Sequence, residues 1–345
     1  VPITNIDTSY TATIGIGSPP TDYTLVVDTG SSNTWVGAGK PYKSTSSSAD
    51  TGSRVAVSYG SGSFSGKEFT DRVRLGAGLV VDKQSIGVAT SSTGFTDVDG
   101  ILGIGPTDLT ERTLSSGDSI PTVTDNLFSQ GTILSNLVAI SFEPTNFQPV
   151  TNGELTFGGV DPSKFIPEIT YVSVTNTEPA KNFWGIDQSI RYGDDTNILK
   201  LTAGIVDTGT TLLLLATNAF RAYQQATGAI MDETTGLLKI DNFESLKSLF
   251  FKIGGTTFEF TADAQTWPRG LNSAIGGDQD SVYLIVNDLG TPSGQGLDFV
   301  NGQVFLERFY SVFDYTNKQV GIALTPYTFV PTNQVPGNPF EFSDV

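Results

Sequence analysis

The chain has 345 residues, with 36 Asp and Glu against 19 Lys and Arg, a formal charge of −17 at neutral pH. That charge repels nucleic acid and anionic membrane. It contains neither cysteine nor histidine, which removes thiol nucleophiles, disulfides, Ser-His triads and His-containing metal sites and leaves acid–base chemistry to Asp, Glu, Lys or Tyr, with no cofactor expected.

The length suits two domains better than one core. Short apolar runs that alternate with polar residues, abundant glycine and recurrent Ser and Thr predict an all-β chain with a few short helices. No apolar run approaches a membrane span, and Val1 to Ser9 has neither a basic nor an apolar signal region, so the chain reads as soluble and processed. Tyr10 to Ile16 alternates as a half-buried strand ending in a Ser18-Pro19-Pro20 turn. Leu25-Val26-Val27 then runs into Asp28-Thr29-Gly30. Arg54 to Tyr59 and Gly66 to Leu75 are strand-like arms of a hairpin whose tip is Tyr59-Gly60-Ser61-Gly62-Ser63. Thr122 to Gln130 reads as a short helix closed by Gly131. Asp161-Pro162, after the strand-like Gly153 to Phe157, marks the boundary between halves, giving lobes 1–165 and 166–330. Thr217 to Thr227 is a stronger helix, with Thr217 as N-cap and Gly228 just past its end. Residues 331–345 hold three prolines and read as an extended tail, with Phe340 and Phe342 as candidate anchors on one lobe.

A weak internal repeat relates the halves. Leu25-Val26-Val27-Asp28-Thr29-Gly30-Ser31-Ser32 has a counterpart in Gly204-Ile205-Val206-Asp207-Thr208-Gly209-Thr210-Thr211, and the run from Asp99 to Gly105 is echoed loosely by Asp298 to Val304. One Asp-Thr-Gly is a common turn triplet; two matched copies after apolar segments point to a pair of acids, Asp28 and Asp207, meeting across a cleft. A carboxylate at the end of a buried strand must be oriented by hydrogen bonds. Gly30 and Gly209 let backbone amides approach, Ser31 and Thr210 can donate to the outer oxygens, and Thr29 and Thr208 can bond to the opposite lobe. Two charged carboxylates about 3 Å apart repel by roughly 5 kcal/mol at an effective dielectric near 20, so they must share a proton. The charged member can then act as base for a water while the protonated one polarises a carbonyl. A glycosidase would need its carboxylates about 5 Å or more apart and offers no reason for matched loops.

These motifs resemble the pepsin family of aspartic proteases from about Tyr10 to Ala323, a family whose dyads are known to share a proton. Asp28 to Trp35 and Val206 to Thr211 are similar to its two active-site motifs, and Val304 to Asp314 with Gln319 to Ala323 to its C-terminal signature. The resemblance implies a bilobal β fold, a flap formed by Tyr59, Gly60 and Ser61, Trp35 as indole partner of the flap tyrosine, Ile101 and Leu102 behind the first acid beside the S1 pocket, and Thr211 among the substrate-binding residues. It further implies an aspartic endopeptidase acting on proteins and peptides in acid, inhibited by statine-type peptides, monomeric, zymogen-derived and secreted to the extracellular space, with a fungal leaning from the missing cysteines. Ser61, uncharged, predicts bulky apolar residues around the cleaved bond and poor use of Lys at P1. A binding protein with a dead site would have lost part of this set. Three departures stand out: Asn301-Gly302-Gln303 where an acid is common, the absence of disulfides, and Gly37-Ala38-Gly39 after the first motif.

Overall fold

Alternation near the N-terminus becomes sheet. In a computed structural model, which describes residues 1–6 and 8–333, β1 (Pro2–Asn5), β2 (Tyr10–Ile16) and β3 (Thr21–Asp28) are antiparallel neighbours. The inward Tyr10, Ala12, Ile14 and Ile16 of β2 are each at most 1% exposed, as period two requires. After β4 (Trp35–Val36), the long strands β5 (Ala49–Ser58), β6 (Ser63–Gly76) and β7 (Leu79–Thr93) form a meander, followed by β8 (Gly100–Gly103). The hairpin arms outrun the predicted segments because pairing continues through polar residues. Its tip is closed where the Tyr59 N–H donates to Gly62 O at 2.7 Å.

α1 (Val123–Ser129) lies inside the predicted span, and Thr122 and Asp125 cap it reciprocally. It precedes β9 (Leu137–Ser141), β10 (Val150–Phe157) and β11 (Thr170–Ser173). The second half contributes β12 (Gly185–Tyr192), β13 (Thr196–Val206), β14 (Leu213–Leu215), α2 (Thr217–Thr227), β15 (Ile230–Met231), β16 (Leu238–Ile240), β17 (Leu249–Ile253) and β18 (Thr256–Phe260). It ends with β19 (Val282–Leu284), β20 (Val286–Asp288), β21 (Phe299–Asn301), α3 (Gln303–Leu306), β22 (Phe309–Asp314) and β23 (Gln319–Leu324).

One expectation about α2 is corrected. Its N-cap is Ala216, without a side-chain cap, because the Ala216 N–H is held by Asp298 O at 2.8 Å at the end of β14. Thr217 is already helical, and its hydroxyl donates to Asp288 at 2.7 Å instead. Gly228 closes the helix at φ 69°, the left-handed position that glycine favours.

A 13-stranded sheet holds the strands of the first half together with β11, β22 and β23, while a seven-stranded sheet ordered β18-β17-β12-β13-β21-β14-β20 organises the second. The halves repeat one arrangement. β3 pairs parallel with β8, which pairs antiparallel with β4; β13 pairs parallel with β21, which pairs antiparallel with β14. Two lobes result, each delivering one strand end to the space between them. Beyond β23, Asp263 accepts the N–H of Thr332 at 2.7 Å and of Asn333 at 3.0 Å. Phe340 and Phe342 lie outside the described residues.

Candidate active site

Asp28 is the last residue of β3, and Asp207 follows β13 directly. Each strand end is fixed by the same contact from its neighbour: the Asp99 N–H donates to Thr24 O and the Asp298 N–H to Ala203 O, both at 2.8 Å. The Asp99 carboxylate also accepts the Thr24 N–H at 2.9 Å, and that of Asp298 accepts the Thr202 hydroxyl at 2.7 Å. The loose echo between these two aspartates in the sequence is thus an echo of structural anchors.

The two Asp-Thr-Gly loops have matching hydrogen bonds. Gly30 N–H donates to Asp28 Oδ1 and Gly209 N–H to Asp207 Oδ1, each at 2.8 Å. On the outer oxygens, Ser31 donates to Asp28 at 2.5 Å and Thr210 to Asp207 at 2.7 Å. Between the lobes, Thr29 N–H donates to Thr208 Oγ1 at 2.9 Å and Thr208 N–H to Thr29 Oγ1 at 3.0 Å. Their hydroxyls donate onward to Val206 O at 3.2 Å and Val27 O at 2.8 Å. Both threonines are fully buried, so this lattice joins the lobes without water.

Glycine is required twice by the approach of the two loops. A Cβ on Gly30 would stand 2.5 Å from Asp207 Oδ1, and one on Gly209 would collide with Asp28 Oδ1. The carboxylates therefore face each other across positions that only glycine fits. Burial first, and then the Asp207 charge, push the Asp28 carboxyl up to about 7.

Above the pair, Trp35 stacks on Phe64 with centroids 4.3 Å apart and meets the edge of Phe95 at 4.9 Å, while Tyr59 meets Phe95 at 5.5 Å. Ile101, opposite Trp35 in the β4–β8 pairing, belongs to the same apolar cluster with Val55 and Leu114. Burial, and then the Asp28 charge, hold the Tyr59 phenol well above its ordinary range, so it keeps its proton. Gly60 and Ser61 are exposed at the hairpin tip. The Thr211 hydroxyl donates to Thr8 O at 2.6 Å. Phe64 and Phe95 belong to no motif in the sequence. Phe64 alternates inward along β6 and was detectable in principle, whereas Phe95 stands in a polar run without periodicity.

The Gln303 position has a structural account. Its N–H donates to Thr210 O at 2.7 Å, bracing the Asp207 loop, and its side chain donates to Glu307 at 3.0 Å. Among the described residues no group of three or more acidic side chains is placed to hold a metal ion.

Comparison with known proteins converges on this geometry. The family described as eukaryotic aspartyl protease matches residues 9–325. Polyporopepsin of Irpex lacteus is 60% identical over 337 residues, covering 96% of this chain and 99% of that protein. Mouse cathepsin D is 31% identical, with 92% of this chain and 81% of that one covered, and chicken pepsin A 30%, with 93% and 86%. The crystal structure of the aspartic proteinase from Irpex lacteus superposes with a TM-score of 0.95 at 61% identity, covering 96% of this chain and 99% of that one. Two lobes, paired Asp-Thr-Gly loops and relatives matched over nearly their whole length lead to one assignment: the chain belongs to the eukaryotic aspartyl protease family, the pepsin-like aspartic endopeptidases.

Proposed function

We propose that the protein cleaves polypeptides in acid through Asp28 and Asp207 acting on a single water. The observation that carries this reading is the mutual placement of the two carboxylates, each with an amide on its inner oxygen and a hydroxyl on its outer one. Because burial holds the Asp28 carboxyl up to about 7, the pair keeps a proton throughout the acid range. The charged carboxylate takes a proton from water as its oxygen bonds to the scissile carbonyl carbon, and the carbonyl oxygen takes the proton of the other acid. One carboxyl then protonates the amide nitrogen while the other takes a proton from a hydroxyl of the gem-diol, so that the C–N bond breaks and the pair is left with its single shared proton.

The hairpin Tyr59 to Ser63 serves as flap, and the cluster of Trp35, Ile101, Phe95 and Leu114 supplies an apolar wall. That wall favours bulky apolar side chains beside the cleaved bond, each buried methylene contributing about 0.8 kcal/mol. Ser61 offers no charge to a basic P1 residue. The reading extends to a secreted, extracellular monomer made as a zymogen and inhibited by statine-type peptides. The test is to prepare Asp28→Asn and Asp207→Asn, confirm their fold by circular dichroism, and digest a protein mixture at acid and neutral pH with and without a statine peptide. Wild type should cleave only in acid and be inhibited, and each variant should be inactive; activity within tenfold of wild type in a folded Asp207→Asn would overturn the dyad.

A further inference from the structure

The outer face of the flap hairpin gathers cations on a molecule that has few. A surface cavity of about 550 Å³ crosses the base of β5 and β6 and is lined by Arg54, Lys67 and Arg112 together with Ser65 and Thr90. Three of the 19 basic side chains thus share one groove on a chain of net charge −17. The arrangement is unfavourable in itself. Arg54 and Lys67 are direct cross-strand partners, where like charges repel, and only Lys67 is relieved, by Asp50 at 3.5 Å. Arg112 is held at φ 66°, in the left-handed region that side chains other than glycine seldom adopt. Among the described residues neither Arg54 nor Arg112 has an ion-pair partner.

The groove is joined to the flap. The segment after Arg112 is zipped onto β5, with the Ala56 N–H donating to Thr113 O at 3.0 Å and the Arg54 N–H to Ser115 Oγ at 2.9 Å. Val55 and Leu114 of the same two segments pack in the cluster that holds Trp35 and Tyr59. Between Lys67 and the hairpin tip at Ser63 the strand rises roughly 13 Å, at about 3.3 Å per residue.

Acid selects the ligand. Ordinary carboxylates lose their charge around pH 4, whereas a phosphate monoester keeps one negative charge well below its second ionisation near pH 6. Guanidinium groups stay charged throughout and pair with phosphate oxygens in a two-pronged geometry. We propose that Arg54 and Arg112, with Lys67 beside them, bind a phosphoserine or phosphothreonine in the part of a polypeptide substrate that flanks the cleaved bond. The proposal rests on the endopeptidase reading above, and about four residues of extended substrate span a distance equal to that strand rise.

The test uses matched peptides with serine, phosphoserine or glutamate placed about three to six residues on either side of one apolar cleavage site, digested near pH 4. At one placement the phosphoserine peptide should show a KM about tenfold or more below that of the serine peptide at similar kcat, as expected for charge-assisted hydrogen bonds. Arg54→Gln combined with Arg112→Gln should abolish that difference and leave cleavage of the serine peptide unchanged. Inorganic phosphate should raise KM for the phosphoserine peptide only. No preference at any placement, a preference that survives in the double variant, or equal use of the glutamate peptide would overturn it. Phosphopeptide binding to folded Asp207→Asn, read by fluorescence anisotropy, reports the groove even where no peptide is cleaved, so failure of the endopeptidase reading stays distinct from failure of this one.

Discussion

At Gly209 a methyl group would collide with Asp28 Oδ1, and at Gly30 it would crowd Asp207. Gly209→Ala must therefore separate the carboxylates or tilt one loop, and misplacement on the order of 1 Å costs about a hundredfold in rate. We expect kcat to fall by at least about a hundredfold while far-UV dichroism remains native; a variant of unchanged kcat would show that the two loops are free to part. Thr208 is tied in more firmly, since its hydroxyl accepts the Thr29 N–H and donates to Val27 O. Thr208→Val leaves both groups buried without that partner, at about 1–3 kcal/mol each, and should lower the urea midpoint measurably as well as the activity. These contacts were legible in the sequence because they are local or repeated: an amide two residues beyond each acid, a hydroxyl three beyond, and the same spacing in both halves. The bracing of the Asp207 loop by the Gln303 N–H was not, because no spacing within the chain reveals which distant backbone meets Thr210.

Strands were read well where one face is buried and less well where polar residues continue a pairing. β2 spans the residues its alternation predicted, although Thr11 and Gly15 on its other face are buried as well, yet β5 begins at Ala49, several residues before the run that looked like a strand, because its partner β6 continues to bind it. Helix α2 shows the opposite error: Thr217 is a good cap by type, but tertiary contacts place Ala216 at the cap and give the threonine hydroxyl to Asp288. The flap illustrates what a single chain pattern cannot provide. Trp35, Phe64 and Phe95 meet only because β4, β7 and β6 are adjacent in the sheet. Among the described residues Phe95 is the one ring in edge contact with both Trp35 and Tyr59, and such contacts contribute about 0.5–1.5 kcal/mol each. Phe95→Ala should thus loosen the hairpin against its base and lower kcat/KM about fivefold to a hundredfold, mainly through KM. Steady-state kinetics on an apolar peptide check this, and an unchanged KM would remove Phe95 from the support of the flap.

Over the whole molecule, pH acts through groups that oppose one another. Asp314, held below its ordinary range by Asn317 and Gln319 although its partial burial works the other way, contributes stability above its unfolded pKa that is lost as pH falls through the lower folded one. Glu68 has the opposite sign. It is 1% exposed in β6, its second oxygen has no hydrogen-bond partner, and burial pushes its carboxyl from 4.5 up to about 7, offset in part by the Ser85 hydroxyl at 2.6 Å. The neighbouring strands bring no compensating cation: Glu68 lies opposite Gly87 of β7, and from β5 Thr51 donates only to its carbonyl, while Asp50 and Lys67 pair with each other on the exposed side. A carboxyl raised in the fold favours the native state fully below about pH 4 and loses that advantage as pH climbs to about 7. Asp28 carries the same sign over the same window, and repulsion within a chain of net charge −17 grows in the same direction. For Glu68 the shift corresponds to about 3 kcal/mol. The fold should therefore be markedly less stable at pH 7 than at pH 4. Glu68→Gln, which has nothing to ionise, should recover about 3 kcal/mol of that loss while changing little at pH 4. Urea midpoints across this range decide the matter, and midpoints for Glu68→Gln that fall in parallel with wild type would assign the neutral instability to the Asp pair and the net charge alone.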